Sequence, residues 1–326
     1  MKRNIKILRK SLAVFGLLTL SALVLSGCGK KKESAEKPET QSRKEEQTTT
    51  IPDTASEEQS SAIPEESVLP EPSTEPETTT GSITETDRFQ VNHEYLFQFS
   101  NEGTNWGQGT TFDEFNRPVY AITAQERNGE YGAYFIMPQE NKLYITMDCG
   151  SSSTYMTQIL DTLKEKQVKI TFFVTMPFVE NNPDIILRMV QEGHTIGNHS
   201  VTHPAAGMFS LSIDEQINEV KTVHDCLLQK YGYEMDLFRY PQGTYSTQSL
   251  ALMQQIGYRS VFWSFAYKDY DENDQPEPGY ALQKLKDRVH PGAIYLLHVD
   301  SGTNADILGE FIDAVRGMGY ELETIR

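Results

Sequence analysis

Two apolar runs flank a helical pattern in residues 143–174, LYITMDCGSSSTYMTQILDTLKEKQVKITFFV, and this arrangement decides the fold. Residues 143–147 and 170–174 are short, almost wholly apolar runs, which predict buried strands. Between them, apolar side chains recur at the spacing of one helical face, at Met156, Ile159, Leu160 and Leu163. A strand, a helix and a second buried strand in this order predict parallel pairing across a crossover helix.

The same alternation continues to the end of the chain. Asn182-Pro183 and the capping box Ser212-Ile213-Asp214-Glu215 predict helix starts, and Gly193 and Gly232 predict the ends of those helices. Further strands are predicted at 237–240, 260–265, 293–297 and 321–325, with helices at 247–255, 280–289 and 304–318. We therefore expect an α/β domain over residues 141–326, a distorted (β/α)7-type barrel of parallel strands, with an open doubly wound sheet as the alternative.

The first 140 residues divide into three parts. Residues 1–27 have a basic start and an apolar run too short to span a bilayer comfortably, and they end at Leu25-Ser26-Gly27-Cys28, which resembles a bacterial lipobox. We expect a lipoprotein signal peptide, a mature chain lipidated on Cys28, and a disordered Ser/Thr/Pro/Glu tether over 28–86. Aromatic and turn residues over 87–140 predict a small β-rich segment that packs on the main domain.

Composition narrows the classes of partner. The formal net charge is −17, and the predicted signal contains five basic residues but no acidic ones, so the mature chain is more acidic still. No basic stripe indicates nucleic acid binding. Three cysteines are too few for a disulfide scaffold. We expect a monomer on the outer face of the bacterial membrane, held there by its lipid anchor and reaching the cell wall.

Ionisable residues follow the predicted strands, at the edge where parallel α/β folds carry their chemistry. Asp148 follows the first strand, Arg239 and Asp269 follow later ones, and His298 follows the strand at 293–297. His199 and His203 lie four residues apart, a spacing that on a helix or tight turn brings both imidazoles to one face. They are candidate ligands for Zn²⁺ or a similar divalent ion; the alternative is a pair of loop histidines that bond to backbone groups.

Four motifs in this order resemble those of the polysaccharide deacetylase (NodB-homology, carbohydrate esterase family 4-like) family. They are Thr146-Met147-Asp148-Cys149-Gly150, His199-Ser200-Val201-Thr202-His203, Arg239-Tyr240-Pro241-Gln242-Gly243 and Leu296-Leu297-His298. The resemblance covers about residues 141–326. The segments 196–200, 262–264 and 291–298 are most similar to the delta-lactam-forming branch, which deacetylates peptidoglycan N-acetylmuramic acid.

The resemblance implies a role for each residue. His199 and His203 would hold a divalent metal, Zn²⁺ or else Co²⁺ or Mn²⁺, Asp148 would be the general base, and Arg239 would keep it ionised. His298 would be the general acid and Asp269 would orient it. The backbone N–H of Gln242 would stabilise the oxyanion. The resemblance also implies substrate contacts from Tyr240, Trp263 and Tyr270. For Arg239 and Asp269, a salt bridge at the rim is the structural alternative.

This sequence departs from the family pattern at three places. Cys149 occupies the position of a second, metal-binding carboxylate: it could bind zinc as a thiolate, be a bystander beside two histidines and waters, or mark an inactive site. Residues 151–154 (Ser-Ser-Ser-Thr) replace a Gly-Tyr-rich stretch, and Tyr270 replaces a common tryptophan.

The function we predict is metal-dependent hydrolysis of the N-acetyl group of cell-wall carbohydrate. The substrate would be N-acetylmuramic acid or N-acetylglucosamine in peptidoglycan. Two alternatives remain: an esterase of O-acetylated polysaccharide, and a catalytically inactive surface lipoprotein that binds carbohydrate.

Overall fold

The computed structural model describes residues 88–326. The predicted signal peptide, lipidated Cys28 and tether lie outside the described residues. The strands are β1 (Thr104–Asn105), β2 (Ala133–Tyr134), β3 (Lys142–Cys149), β4 (Thr171–Val174), β5 (Thr195–Asn198), β6 (Leu237–Phe238), β7 (Thr244–Tyr245), β8 (Arg259–Val261), β9 (Phe265–Ala266), β10 (Ala293–His298) and β11 (Glu321–Leu322). The helices are α1 (His93–Leu96), α2 (Val119–Asn128), α3 (Met156–Glu165), α4 (Met176–Asn181), α5 (Pro183–Glu192), α6 (Ile213–Tyr231), α7 (Thr247–Gln255), α8 (Pro278–Asp287) and α9 (Gly302–Gly317).

The main sheet is parallel throughout and confirms the predicted fold class. Its strands lie in the order β2-β8-β6-β5-β4-β3-β10-β9, and β11 pairs with the start of β3. Every residue of β4 is buried, as is every residue of β3 after Lys142. Burial on both faces explains why these strands are continuous apolar runs in the sequence.

The main sheet curves at a break within residues 260–265. Residues 260–265 were predicted as a single strand, but the structure has two short strands there, separated by Phe262, Trp263 and Ser264. The first, β8, pairs with β6, and the second, β9, pairs with β10 on the other side of the sheet. The curled sheet agrees with the distorted barrel that the sequence predicted, and the break leaves Trp263 between β8 and β9.

The helix boundaries follow the local signals in the sequence. Ser212 accepts a hydrogen bond from the backbone N–H of Glu215, and the Glu215 carboxylate accepts one from the Ser212 backbone N–H, so the predicted capping box is confirmed. Gly193 and Gly232 end α5 and α6 with φ of 78° and 63°, in the left-handed region that glycine enters without a steric penalty.

The N-terminal segment differs from its prediction. Residues 88–140 were expected to be β-rich, but their longest element is the helix α2, and their strands β1 and β2 have two residues each. The prediction was wrong because the aromatic residues of this segment pack against the main domain. Trp106 is buried, donates its indole N–H to the Trp263 carbonyl at 3.0 Å and stacks edge-on against Phe135. Aromatic residues that pack on a neighbouring sheet carry little information about local backbone conformation.

Among residues 88–326, no helix is both long and apolar enough to cross a membrane. Cys149 and Cys226 are both buried, and neither forms a disulfide.

Candidate active site

A pocket of about 560 Å³ opens at the carboxyl ends of the parallel strands. The register of the sheet places Asp148 of β3 directly beside His298 of β10. His199 and Arg239 each follow the last residue of a neighbouring strand, β5 and β6. The lining residues are Asp148, Gly150, His199, His203, Tyr240, Gln242, Gly243, Trp263, Tyr270, Leu296, His298 and Asp300. The sheet therefore gathers in one place residues that are scattered over more than 150 positions of sequence.

Asp148 is paired with a buried guanidinium. Its Oδ1 accepts a hydrogen bond of 2.8 Å from Nη1 of Arg239, which is wholly buried. Burial alone would raise the pKa of Asp148, but the charge of Arg239, aided by the nearby histidines, outweighs it and leaves that pKa below its usual value. The remaining N–H groups of Arg239 donate to the carbonyls of Val261 and Phe262. Asp148 is thus ionised at neutral pH, and it lines the pocket.

His199 is held as a neutral imidazole of defined tautomer. Its Nδ1 lies 2.8 Å from the carbonyl oxygen of Arg239, and since a carbonyl can only accept, Nδ1 carries the proton. Nε2 therefore has a lone pair, and it lies 3.5 Å from Oδ2 of Asp148. Burial is the main reason that the pKa of His199 falls to about 4. Two atoms with lone pairs thus face each other, an arrangement that a bound cation would satisfy.

The loop that carries both histidines is fixed by a residue that sequence reasoning missed. Glu219 of α6 accepts hydrogen bonds from the backbone N–H groups of Val201 and Thr202 at 2.9 and 2.8 Å, and from the Thr202 hydroxyl at 2.8 Å. The histidine pair lies on a turn, with Ser200 and His203 at φ of 72° and 49°. Such conformations are costly for non-glycine residues, and the hydrogen bonds from α6 help to hold them. A buried glutamate is rare unless it is paired, but nothing in the sequence links Glu219 to this loop.

His298 has the opposite environment. Its Nδ1 lies 2.7 Å from Oδ1 of the buried Asp269, whose Oδ2 accepts from the His298 backbone N–H at 2.9 Å. Burial lowers the pKa of His298, but the hydrogen bond and charge of Asp269 outweigh it and leave that pKa above its usual value. Asn304 at the start of α9 donates to the same Asp269 oxygen at 2.6 Å. Asn304 was also missed, because only the tertiary fold brings it to Asp269.

The histidine pair fits a divalent ion, while Cys149 is not placed to assist. The rings of His199 and His203 lie 4.9 Å apart, and burial lowers both pKa values, so both imidazoles are uncharged at neutral pH and each has one nitrogen with a lone pair. Among the described residues, no cluster of three or more His, Cys, Asp or Glu side chains forms a metal site. Cys149 is fully buried and does not line the pocket, and burial raises the pKa of its thiol well above the usual value. His199 and His203 are therefore the two residues of the pocket that fit a divalent ion, without Cys149.

The four predicted substrate-binding residues all line this pocket, with different exposures. Gln242 is exposed and has φ of 58°, a strained conformation of the kind found at active sites. Tyr270 is 61% exposed, and its ring meets that of His298 edge to face. Trp263 and Tyr240 are almost buried, and the Trp263 indole N–H donates to Gln108, a residue that the sequence did not single out.

Comparison with known proteins agrees with the fold and the site. Residues 137–261 match the model of the polysaccharide deacetylase family. A peptidoglycan N-acetylmuramic acid deacetylase of Bacillus subtilis is 35% identical over 227 residues, which are 69% of this chain and 85% of that protein. A peptidoglycan N-acetylglucosamine deacetylase of Listeria monocytogenes is 31% identical over 184 residues, 56% of this chain and 38% of that protein.

A solved structure of the Bacillus subtilis protein, described as a family 4 carbohydrate esterase, superposes with a TM-score of 0.65 at 34% identity. The match covers 69% of this chain and 96% of that one. The class defined by the fold and pocket is therefore that of the α/β carbohydrate esterases. The chain belongs to the polysaccharide deacetylase family, as its motifs indicate.

Proposed function

We propose that this protein hydrolyses the acetamido group of N-acetylated sugars in peptidoglycan, giving a free amine and acetate. The observation that carries the proposal is the pairing of Asp148 with Arg239 and of His298 with Asp269 around one pocket. The first pair supplies an ionised base and the second supplies a protonated acid, the two groups that amide hydrolysis needs. The two relatives described above act, by their names, on peptidoglycan, one at N-acetylmuramic acid and the other at N-acetylglucosamine.

In this mechanism Asp148 takes a proton from the attacking water, whose oxygen bonds to the acetamide carbon. The backbone N–H of Gln242 donates to the oxyanion that develops on the carbonyl oxygen. The carbon–nitrogen bond then breaks as His298 transfers its proton from Nε2 to the departing nitrogen. Asp269 holds His298 through Nδ1, which leaves Nε2 free to face the substrate. A divalent ion held by His199 and His203 would polarise the carbonyl and lower the pKa of the water, and we propose Zn²⁺, with Co²⁺ or Mn²⁺ as substitutes.

We further propose the domain organisation that the sequence indicates. Residues 1–27 would be a signal peptide, Cys28 the site of lipidation, 28–86 a tether, 87–140 a segment attached to the catalytic domain, and 141–326 the catalytic domain. A tether of that length would let a monomeric catalytic domain reach the cell wall from the outer face of the membrane. The lipobox-like residues 25–28 support this arrangement.

The decisive experiment is acetate release from purified peptidoglycan by the full-length protein, with EDTA, with EDTA followed by excess Zn²⁺, and with neither. We expect release that EDTA stops and Zn²⁺ restores. Release from O-acetylated xylan but not from peptidoglycan would replace the proposal with an esterase. Binding to peptidoglycan without any release, after Zn²⁺ and Co²⁺ are supplied, would make the protein a carbohydrate-binding lipoprotein.

A further inference from the structure

Asp300 is a third carboxylate in the pocket, beside the two that the mechanism uses. It lies two residues beyond His298, where the chain leaves β10, and its Oδ2 lies next to Gly150. Its Oδ1 is shielded from solvent and has no hydrogen-bond partner among residues 88–326. Burial raises the pKa of Asp300, and nearby Glu272 raises it further. An unpartnered buried acceptor is costly, so such an atom indicates a missing partner.

Asp300 lies close to His298, the proposed general acid, on the same wall of the pocket. The charged groups that influence its pKa include Glu272, His298 and Asp269. Since His298 would donate its proton to the nitrogen of the acetamido group, a sugar bound for that step would lie near Asp300.

Few positive charges balance this carboxylate. The described residues that line the pocket include no lysine and no arginine. Arg239 lies behind the wall and is committed to Asp148 and two backbone carbonyls. The charge of His298 is matched by Asp269. Apart from the proposed metal site, an anionic substituent on the substrate would therefore meet Asp300 with no lysine or arginine of the pocket lining to receive it.

The two sugars of peptidoglycan differ at the carbon next to the acetamido group. N-acetylglucosamine has a hydroxyl there, which can donate a hydrogen bond. N-acetylmuramic acid has a lactyl ether, whose carboxyl is a neutral amide while the stem peptide is attached and a free carboxylate once the peptide is removed. A carboxylate beside Asp300 is repelled, whereas a hydroxyl can donate a hydrogen bond to the Asp300 carboxylate.

We propose that Asp300 makes this pocket selective for sugars without a free carboxylate, N-acetylglucosamine foremost, and against muramic acid that has lost its stem peptide. This inference rests on the proposed function. Asp300 acts as a specificity determinant by repulsion, a recurrent way of rejecting a similar ligand. The specificity would therefore differ from that named for the 35% identical Bacillus subtilis relative.

The test compares three substrates: chitotetraose, glycan strands that keep their stem peptides, and the same strands stripped by an amidase. Mass spectrometry assigns the deacetylated sugar. For the wild type we expect kcat/KM on muramic acid in stripped strands to be at least tenfold below that on N-acetylglucosamine in chitotetraose. Asp300→Asn, nearly isosteric, should raise the stripped-strand value about tenfold and change the chitotetraose value by less than about threefold, as expected for the loss of one like-charge contact.

The control is Asp306→Asn, which removes one exposed carboxylate of α9 outside the pocket and should leave all three values unchanged. Raising the ionic strength should also narrow the discrimination of the wild type without any substitution. An unchanged ratio in Asp300→Asn, or a wild type that prefers stripped strands, overturns the inference.

Binding measured in EDTA separates this inference from the proposed function. If no substrate releases acetate, the proposed function fails, but the affinity ratio for peptide-bearing over stripped strands still tests Asp300. That ratio should be at least tenfold in the wild type and fall towards one in Asp300→Asn. Equal affinity ratios in the wild type and Asp300→Asn would show that Asp300 does not determine this specificity, whether or not the protein releases acetate.

Discussion

His199 and His298 line the same pocket, but the pKa of His199 is lowered to about 4 while that of His298 is raised. Burial lowers both. The difference lies in the hydrogen-bond acceptor of each ring: His199 donates to the backbone carbonyl of buried Arg239, and His298 donates to the buried carboxylate of Asp269.

This comparison shows how one residue type serves two purposes at neutral pH. A neutral imidazole with a free lone pair can bind a metal ion, whereas a protonated imidazole can donate a proton to a leaving group. The pocket thus has two groups of residues. We call the group of Arg239, Asp148 and His199 the arginine side, and the group of Asp269 and His298 the aspartate side. Each side can be altered separately.

Asp148→Asn should give the largest effect, on the arginine side. We expect kcat for acetate release to fall by roughly 10²–10⁴-fold, the usual contribution of general acid–base catalysis, because an amide cannot accept the water proton. The matched control is Asp236→Asn, which removes a largely exposed carboxylate paired with Arg259 and should retain activity. Near-normal turnover by Asp148→Asn would show that the base lies elsewhere.

Asp269→Asn should alter the pH dependence on the aspartate side. The folded-state pKa of His298 is raised, so its acid form persists at neutral pH and is lost as the pH rises through that pKa. Without the Asp269 carboxylate, burial is the main remaining influence and lowers the pKa. The alkaline limb of kcat/KM should therefore move to lower pH, and kcat should fall on the order of 10²-fold.

The control for this pH dependence is Asp271→Asn, which changes a carboxylate in the loop beyond Asp269 that does not line the pocket. The alkaline limb of its kcat/KM profile should lie at the same pH as that of the wild type. If Asp269→Asn lost activity equally at every pH, Asp269 would be a structural residue and His298 would not be the titrating acid.

Glu219→Gln tests whether Glu219 of α6 positions the loop that carries His199 and His203. Replacing one carboxylate oxygen by an NH₂ group removes at least one of three hydrogen bonds to residues 201 and 202. We expect Zn²⁺ affinity, measured by competition with a chelating dye, to fall about tenfold, within the usual range for residues that support ligands. Asp225→Asn on the same helix should bind Zn²⁺ normally. Normal Zn²⁺ affinity in Glu219→Gln would limit Glu219 to a structural role.

Cys149→Ala should have the smallest effect, because the thiol is buried away from the pocket. We expect Zn²⁺ affinity to stay unchanged and the free energy of unfolding to fall by about 1 kcal/mol, a typical value for a point substitution. Cys226→Ala, at the other buried cysteine, should behave alike. A sharp loss of Zn²⁺ affinity in Cys149→Ala, but not in Cys226→Ala, would show instead that the Cys149 thiolate binds zinc.

Much of the fold followed from local signals. The strand at 143–147 and the helices that begin at Asn182-Pro183 and Ser212 were predictable because burial on both faces and helix capping leave direct marks in sequence. The break at Phe262–Ser264 was not, since that apolar run is equally suited to one strand or two. The helix α2 was missed because the aromatic residues around it, such as Trp106 and Phe135, pack against Phe262 of the main domain as well as on each other.

The sequence by itself determined the family, the parallel α/β architecture and the order of the four motifs. These features depend on periodicity, capping and residue type, which are local properties. Only the tertiary structure decided which atoms meet: Glu219 with the histidine turn, Asn304 with Asp269, and Asp300 with the pocket. It also separated the pKa values of His199 and His298, because burial and long-range partners, which no local pattern encodes, determine the charge of an imidazole.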